Sequence, residues 1–185
     1  MINFLHIPKA GGLSLKSLID NSPDSNIIYY GHVRAKHIPH PSFCFVRNPY
    51  DRIVSTYFYL THENRLNNYT DAAYRYILLK YVDFKDFIMH IESDGLNKII
   101  LHIYPMSHWI CDEEGKIIVD DIFKIEEIEK INAFLTENGI SEWMDSPKKN
   151  TSEHEPYESY LDPEIIAEIE RLYELDFKLF NYEKC

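Results

Sequence analysis

The sequence predicts an α/β fold with a central parallel β-sheet flanked by helices, and three observations predict it. Short apolar runs alternate with longer runs at helical spacing, the order expected of a parallel sheet covered by helices. One short run, Ser42-Phe43-Cys44-Phe45-Val46, is apolar almost throughout, as suits a parallel strand buried on both faces. The first run, Ile2 to Ile7, passes through Pro8-Lys9-Ala10-Gly11-Gly12 directly into a helical segment, a strand–turn–helix junction.

The elements follow in order. Residues 2–7 form the first strand and Leu13 to about Ile19 the first helix. Asn26 to Tyr30 is a second strand, ended by Gly31, and Ser42 to Val46 a third. Asn48 is a good N-cap and Pro49 suits the first helical position, so a helix opens there, with Tyr50, Val54, Tyr57 and Phe58 as its buried stripe. Residues 71–104 read as helical, with Phe84, Phe87, Ile88 and Ile91 at helical spacing. Trp109-Ile110-Cys111 and Lys116 to Val119 read as the arms of a hairpin turning at Asp112-Glu113-Glu114-Gly115. Ile122 to Ile125 is a last strand; a helix through Ile128, Ile131, Phe134 and Leu135 stops near Asn138-Gly139. Residues 146–160 are polar and read as a loop. Asp162-Pro163 opens a final helix with Ile165, Ile166, Ile169, Leu172 and Tyr173 on one face. No repeat or linker interrupts this order, and 185 residues fit a single domain, 1–185.

Composition excludes several classes. A net charge of −11 is the wrong sign for a nucleic-acid partner and disfavours a highly sulfated polyanion. The 3 cysteines, Cys44, Cys111 and Cys185, are widely spaced and form neither a disulfide framework nor a CxxC site, which points to a reducing, cytoplasmic compartment. No run approaches the ~20 apolar residues of a membrane span, and no signal peptide is expected. Nothing in the sequence sets the oligomeric state.

The segment from His6 to Ser14 carries the first functional signal. At a strand–helix junction the first helical N–H groups have no internal acceptor, and the helix dipole adds roughly half a positive charge. Together they make an anion site. Gly11 and Gly12 let the backbone approach a phosphate, Lys9 adds a mobile cation and Ser14 a hydroxyl. The lysine precedes the glycines, so this is not the GxxxxGK[ST] pattern. On this segment alone, a phosphate loop and a plain junction with a surface lysine are equally supported. The second signal is Arg47, a cation at a strand end where a helix begins. The dipole disfavours it there unless an anion lies near, and its guanidinium suits a phosphate. Ser55 lies about 10 Å along the same helix from Asn48, able to donate to a ligand lying beside the helix. Asp51 and Arg52 read as ion-pairing residues that hold the turn.

These segments resemble the sulfotransferases that use 3'-phosphoadenosine-5'-phosphosulfate (PAPS), within them the carbohydrate type that includes heparan sulfate 2-O-sulfotransferase. Pro8 to Leu15 (PKAGGLSL) is similar to that family's 5'-phosphosulfate loop, Val46 to Tyr57 (VRNPYDRIVSTY) to its 3'-phosphate element, and Gly31-His32-Val33 to a segment whose histidine is the catalytic base. Pro105 to Ile110, Asp121 to Glu126 and Tyr173 to Tyr182 are similar to short bacterial members. The resemblance implies a P-loop-like three-layer fold. It implies that Lys9, Ala10, Gly11, Gly12, Leu13 and Ser14 line the 5'-phosphosulfate, with Lys9 assisting the leaving phosphate. It gives Arg47 and Ser55 the 3'-phosphate, makes Lys149-Asn150-Thr151-Ser152 a loop closing over the nucleotide, and makes His32 the base. The products would be a sulfated hydroxyl acceptor, a carbohydrate or another small molecule, and adenosine 3',5'-bisphosphate. Two positions depart from the family: Leu13 stands where Thr is common, and Tyr30 where the heparan enzyme has a second histidine.

The chemistry is consistent with those assignments. A histidine with an ordinary pKa near ~6.5 suits base work at neutral pH, and a lysine can stabilise charge developing on a leaving oxygen. No metal is needed: His32, His37, His40 and Cys44 fit no zinc spacing, and Asp120-Asp121 reads as a solvated strand start. Arg34, Lys36, His37 and His40 form a basic stretch beside the candidate base, either meeting an acidic sugar or solvated. A P-loop kinase lacks its GK[ST] and a clear Mg²⁺-binding acid; a nucleotide-binding protein without turnover remains the other alternative.

Overall fold

The structure is a computed structural model that describes residues 1–62, 69–140 and 154–185. The chain divides into two compact units, one of Met1–Arg47 with Met106–Lys149 and one of Asn48–Pro105 with Asn150–Cys185.

The first unit is built on a four-stranded sheet of β1 (Ile2–Leu5), β2 (Ile27–Tyr30), β3 (Ser42–Val46) and β4 (Asp121–Lys124), in the order β2-β1-β3-β4. Every pairing is parallel, as the apolar strands predict. All five residues of β3 are buried, the consequence of a central parallel strand covered on both faces. Helices α1 (Gly12–Asp20), α5 (Met106–Ile110) and α6 (Ile128–Glu137) belong to this unit. Phe134 of α6 packs its ring on Phe43 (4.8 Å between centroids) and Phe123 (4.6 Å), so the aromatic core joins helix to sheet.

The strand order locates the functional edge. From β1 the chain moves to β2 on one side, and from β3 to β4 on the other. The order therefore reverses between β1 and β3, and ligands of open α/β sheets bind outside the carboxyl ends of strands at such a point. The registers Leu5↔Tyr30 and Leu5↔Cys44 bring the carboxyl ends of β1, β2 and β3 to one edge. His6 to Gly12, Gly31 to Arg34 and Arg47 all leave the sheet there.

The second unit is helical: α2 (Pro49–Thr61), α3 (Tyr69–Leu78), α4 (Phe84–His90), α7 (Pro163–Leu172) and α8 (Glu174–Leu179). Asn48 caps α2 as its sequence predicts, its Oδ1 accepting from Tyr50 N at 2.9 Å, with Pro49 next; such a cap contributes about 1 kcal/mol. Asp162 does the same for α7, accepting from the amides of Glu164 and Ile165. The core of this unit joins Tyr50, Ile53, Val54 and Leu60 of α2 to Phe87 and Ile88 of α4 and Ile169 of α7.

Three expectations change. Trp109 and Ile110 lie in helix α5, not in a strand, and Cys111 alone bridges Ile117; the turn between them is formed as expected, with Gly115 at φ 78°. The stretch 71–104 is broken into α3, α4 and a 3-10 turn at Leu96–Lys98. The last helix stops at Tyr173, whose φ of −117° leaves the helical region, and a separate helix follows.

Candidate active site

The loop after β1 starts at His6 and enters α1 at Gly12. Lys9 adopts φ 63°, a left-handed conformation that costs a non-glycine residue about 1 kcal/mol. Gly11, the N-cap, follows at φ 81°. Two of the three residues from Lys9 to Gly11 thus take left-handed backbone, and the chain opens α1 with its first amides, Gly12 and Leu13, at positions that have no intrahelical acceptor. Gly12 is required for a second reason. A Cβ there would lie 1.9 Å from Cδ2 of the His6 ring. Leu13 is 40% exposed on the first turn, and Ser14 is half-buried beside it.

Arg47, one residue past β3, is half-buried. Its Nη1 donates to the carbonyl oxygen of Lys9 at 3.3 Å, and its backbone N–H reaches Met106 Sδ at 3.5 Å. The two cationic segments that the sequence places far apart therefore meet at the β1/β3 edge. Ser55 belongs to the other unit, on the second turn of α2, and is 3% exposed. Lys149, Asn150, Thr151 and Ser152 lie outside the described residues.

His32 follows β2 and Gly31 and is exposed. Its Nδ1 faces the carbonyl oxygen of His6 at 3.0 Å. A carbonyl only accepts, so Nδ1 carries a proton, and in the neutral ring the lone pair then sits on Nε2, the tautomer a general base needs. The His32 ring packs on the His6 ring (4.5 Å) and near Trp109 (6.0 Å). Arg34 anchors the segment from its other end. Its Nε donates to His108 O and its Nη2 to Cys111 O, both at 3.0 Å, satisfying carbonyls at the end of α5. Burial, and then the Arg34 charge, hold the His108 pKa below the ordinary histidine value.

Three of the four basic residues after His32 are engaged with neighbouring groups. Arg34 is committed to carbonyls, Lys36 pairs with Glu113 at 2.8 Å, and His40 with Asp120 at 2.7 Å. Cys44 is buried within β3, its thiol pushed up by burial and by neighbouring Cys111, which removes it from any ligand set. Among the described residues, no group of three or more His, Cys, Asp or Glu side chains gathers to hold a metal ion. No helix among them is long and apolar enough to cross a membrane.

His6, Tyr29 and Trp109 are the residues that sequence reasoning did not single out. His6 is 5% exposed at the end of a strand of core residues, and Tyr29 Oη lies 2.5 Å from its Nδ1. A polar residue closing an apolar strand just before a Gly-Gly turn was the available signal.

No curated protein matches the chain. Among solved structures, the crystal structure of mouse sulfotransferase SULT7A1 complexed with PAP is similar at 16% identity, over 98% of this chain and 88% of that one, with a TM-score of 0.41. A model of the sulfotransferase family matches residues 2–183, nearly the whole sequence, and on that match this chain belongs to the sulfotransferase family.

Proposed function

We propose that this chain transfers a sulfuryl group from PAPS to a hydroxyl acceptor, with Lys9 and His32 as its catalytic residues. One observation carries the reading. At the carboxyl ends of β1, β2 and β3 converge a glycine-opened helix start, an arginine tied to that loop and a histidine held in the base-competent tautomer.

The loop from Lys9 to Ser14 takes the 5'-phosphosulfate through the first amides of α1 and the Lys9 ammonium. Arg47 takes the 3'-phosphate. Ser55 and Lys149 to Ser152 keep the nucleotide roles that the family resemblance gives them. PAPS supplies the sulfuryl group. The acceptor's hydroxyl proton passes to Nε2 of His32 as its oxygen bonds to sulfur. The bond from sulfur to the bridging phosphate oxygen breaks, and its electron pair stays on that oxygen, where Lys9 neutralises the charge. Nδ1–H stays on the His6 carbonyl, so the His32 ring accepts the proton without turning.

The acceptor in this reading is a carbohydrate hydroxyl. The pairing of Lys36 and His40 with carboxylates favours a neutral or weakly charged sugar over a polyanion. Calorimetric titration with adenosine 3',5'-bisphosphate, against AMP and ATP-Mg²⁺, tests the donor site. Binding that requires the 3'-phosphate and is lost in Arg47→Ala supports it; a preference for ATP-Mg²⁺, or no binding, overturns it.

A further inference from the structure

The His6 ring fills the space between the donor loop and the candidate base. It lies where a side chain on Gly12 would be, 1.9 Å from that position, and it packs on the His32 ring at 4.5 Å. Its own backbone carbonyl receives Nδ1 of His32. Tyr29 fixes the ring from the other side at 2.5 Å.

We infer that His6 is a positioning residue that couples the donor loop to the base, with Tyr29 holding it in place. The inference rests on the assignment of His32 as base.

First, the His6 ring packed on the His32 ring restricts how that imidazole can turn about its Nδ1 contact, and aromatic pairs at such separations contribute about 0.5–1.5 kcal/mol. Second, the ring doing the restricting must itself be fixed. The Tyr29 hydroxyl lies 2.5 Å from Nδ1 of His6 and holds that ring by a hydrogen bond, and burial and then the Asp20 charge push the phenol up to about 12, so it stays protonated at neutral pH. Its ring is covered in turn by the Lys16 ammonium at 5.7 Å, which pairs with Asp20. The glycine at position 12 thus makes room for a supporting histidine as well as for a phosphate, and a displacement of the loop is transmitted through one ring to the base.

The test reads the His32 ring itself by heteronuclear NMR of the labelled full-length chain. Tautomer fraction and ring-proton shifts are followed in the wild type, in His6→Ala and in Tyr29→Phe. The wild type is expected to show the Nδ1–H tautomer of His32 as the dominant neutral form. His6→Ala keeps the backbone carbonyl but lowers that fraction, shifts the ring protons and reduces PAPS-dependent transfer about 10-fold or more. Adenosine 3',5'-bisphosphate affinity changes less than about 3-fold. Tyr29→Phe, which keeps the ring and its packing, shifts the His32 signals in the same sense by a smaller amount, and it decides the matter should His6→Ala fail to fold. His32 signals identical to wild type in the folded variants overturn the coupling. Full transfer by His32→Ala removes the base assignment instead, while the NMR still shows whether His6 positions the ring, so the two failures are told apart.

Discussion

Each unit buries a histidine, and the two serve opposite ends. His6, 5% exposed, has contacts that lead outward, to the exposed His32 and to the turn that opens α1. His102, 7% exposed, has contacts that lead inward. Its Nε2 is 4.0 Å from Asp71, whose other oxygen accepts from the Tyr59 hydroxyl at 2.6 Å. Its carbonyl accepts from Arg52, which is 1% exposed and also donates to Tyr104 O at 2.7 Å. His6 thus meets an exposed ring, whereas His102 sits within a buried polar network. Arg52, read from the sequence as holding the turn at the start of α2, instead ties α2 to the segment at 102–104.

The comparison breaks most visibly by mutation of one residue from each side. Arg52→Ala leaves one buried and one half-buried carbonyl without their charged donor and is expected to destabilise the chain by about 3–5 kcal/mol, read as a lower urea midpoint. His32→Ala is expected to cut sulfuryl transfer by ~10²–10⁴-fold with the midpoint unchanged and nucleotide affinity nearly so. A His32 variant that unfolds like the Arg52 variant would erase the distinction, and an Arg52 variant of wild-type stability would show the inward network to be dispensable.

Alkaline pH sharpens the same contrast with a smaller effect. In the helical unit, burial raises the phenols of Tyr50, Tyr57, Tyr59, Tyr81 and Tyr173; the hydrogen bond to Asp71 raises Tyr59 further and that to Glu170 raises Tyr50. In the sheet unit the shifted phenol is Tyr29. A phenol with a higher pKa folded than unfolded keeps a proton that the unfolded chain releases. Its stabilisation is therefore complete below pH ~10 and is lost as pH rises through the folded value. The helical unit should loosen first. Subtilisin cleavage mapped along the chain, with tyrosinate absorbance as the titration monitor, checks this; first cuts within 1–47 would contradict it.

The sequence made the sheet legible because its signals are local. Continuous burial of β3, the capped start of α2 and the Gly-Gly entry to α1 each depend on a few neighbouring residues. Lys9, in the turn after β1, and His32 and Arg47, just past β2 and β3, were proposed from equally local signals. Helix α5 was not legible, because a short apolar run such as Trp109-Ile110-Cys111 suits a strand as well as a helical turn. His6 was not legible for a different reason. Its role depends on Gly12, Tyr29 and His32 arriving at one ring, and that convergence exists only once β1 and β2 have paired in register.

The smallest expected effect tests whether the start of α1 faces an anion at all. Leu13 is exposed at the second position of the helix, so replacing it costs little packing, and Leu13→Thr should leave the urea midpoint within about 0.5 kcal/mol. A threonine hydroxyl there can donate to the same phosphate that the first-turn amides reach. One added hydrogen bond to a charged group is worth about 1 kcal/mol, or ~5-fold in affinity for adenosine 3',5'-bisphosphate. Tighter binding by that amount would mean that the junction is a phosphate site one donor short, and that its polar groups look outward as those around His6 do. Unchanged affinity would mean that the first turn does not meet the nucleotide. The glycines, the strained Lys9 and the Arg47 contact would then form a closed structural network, like the one around Arg52.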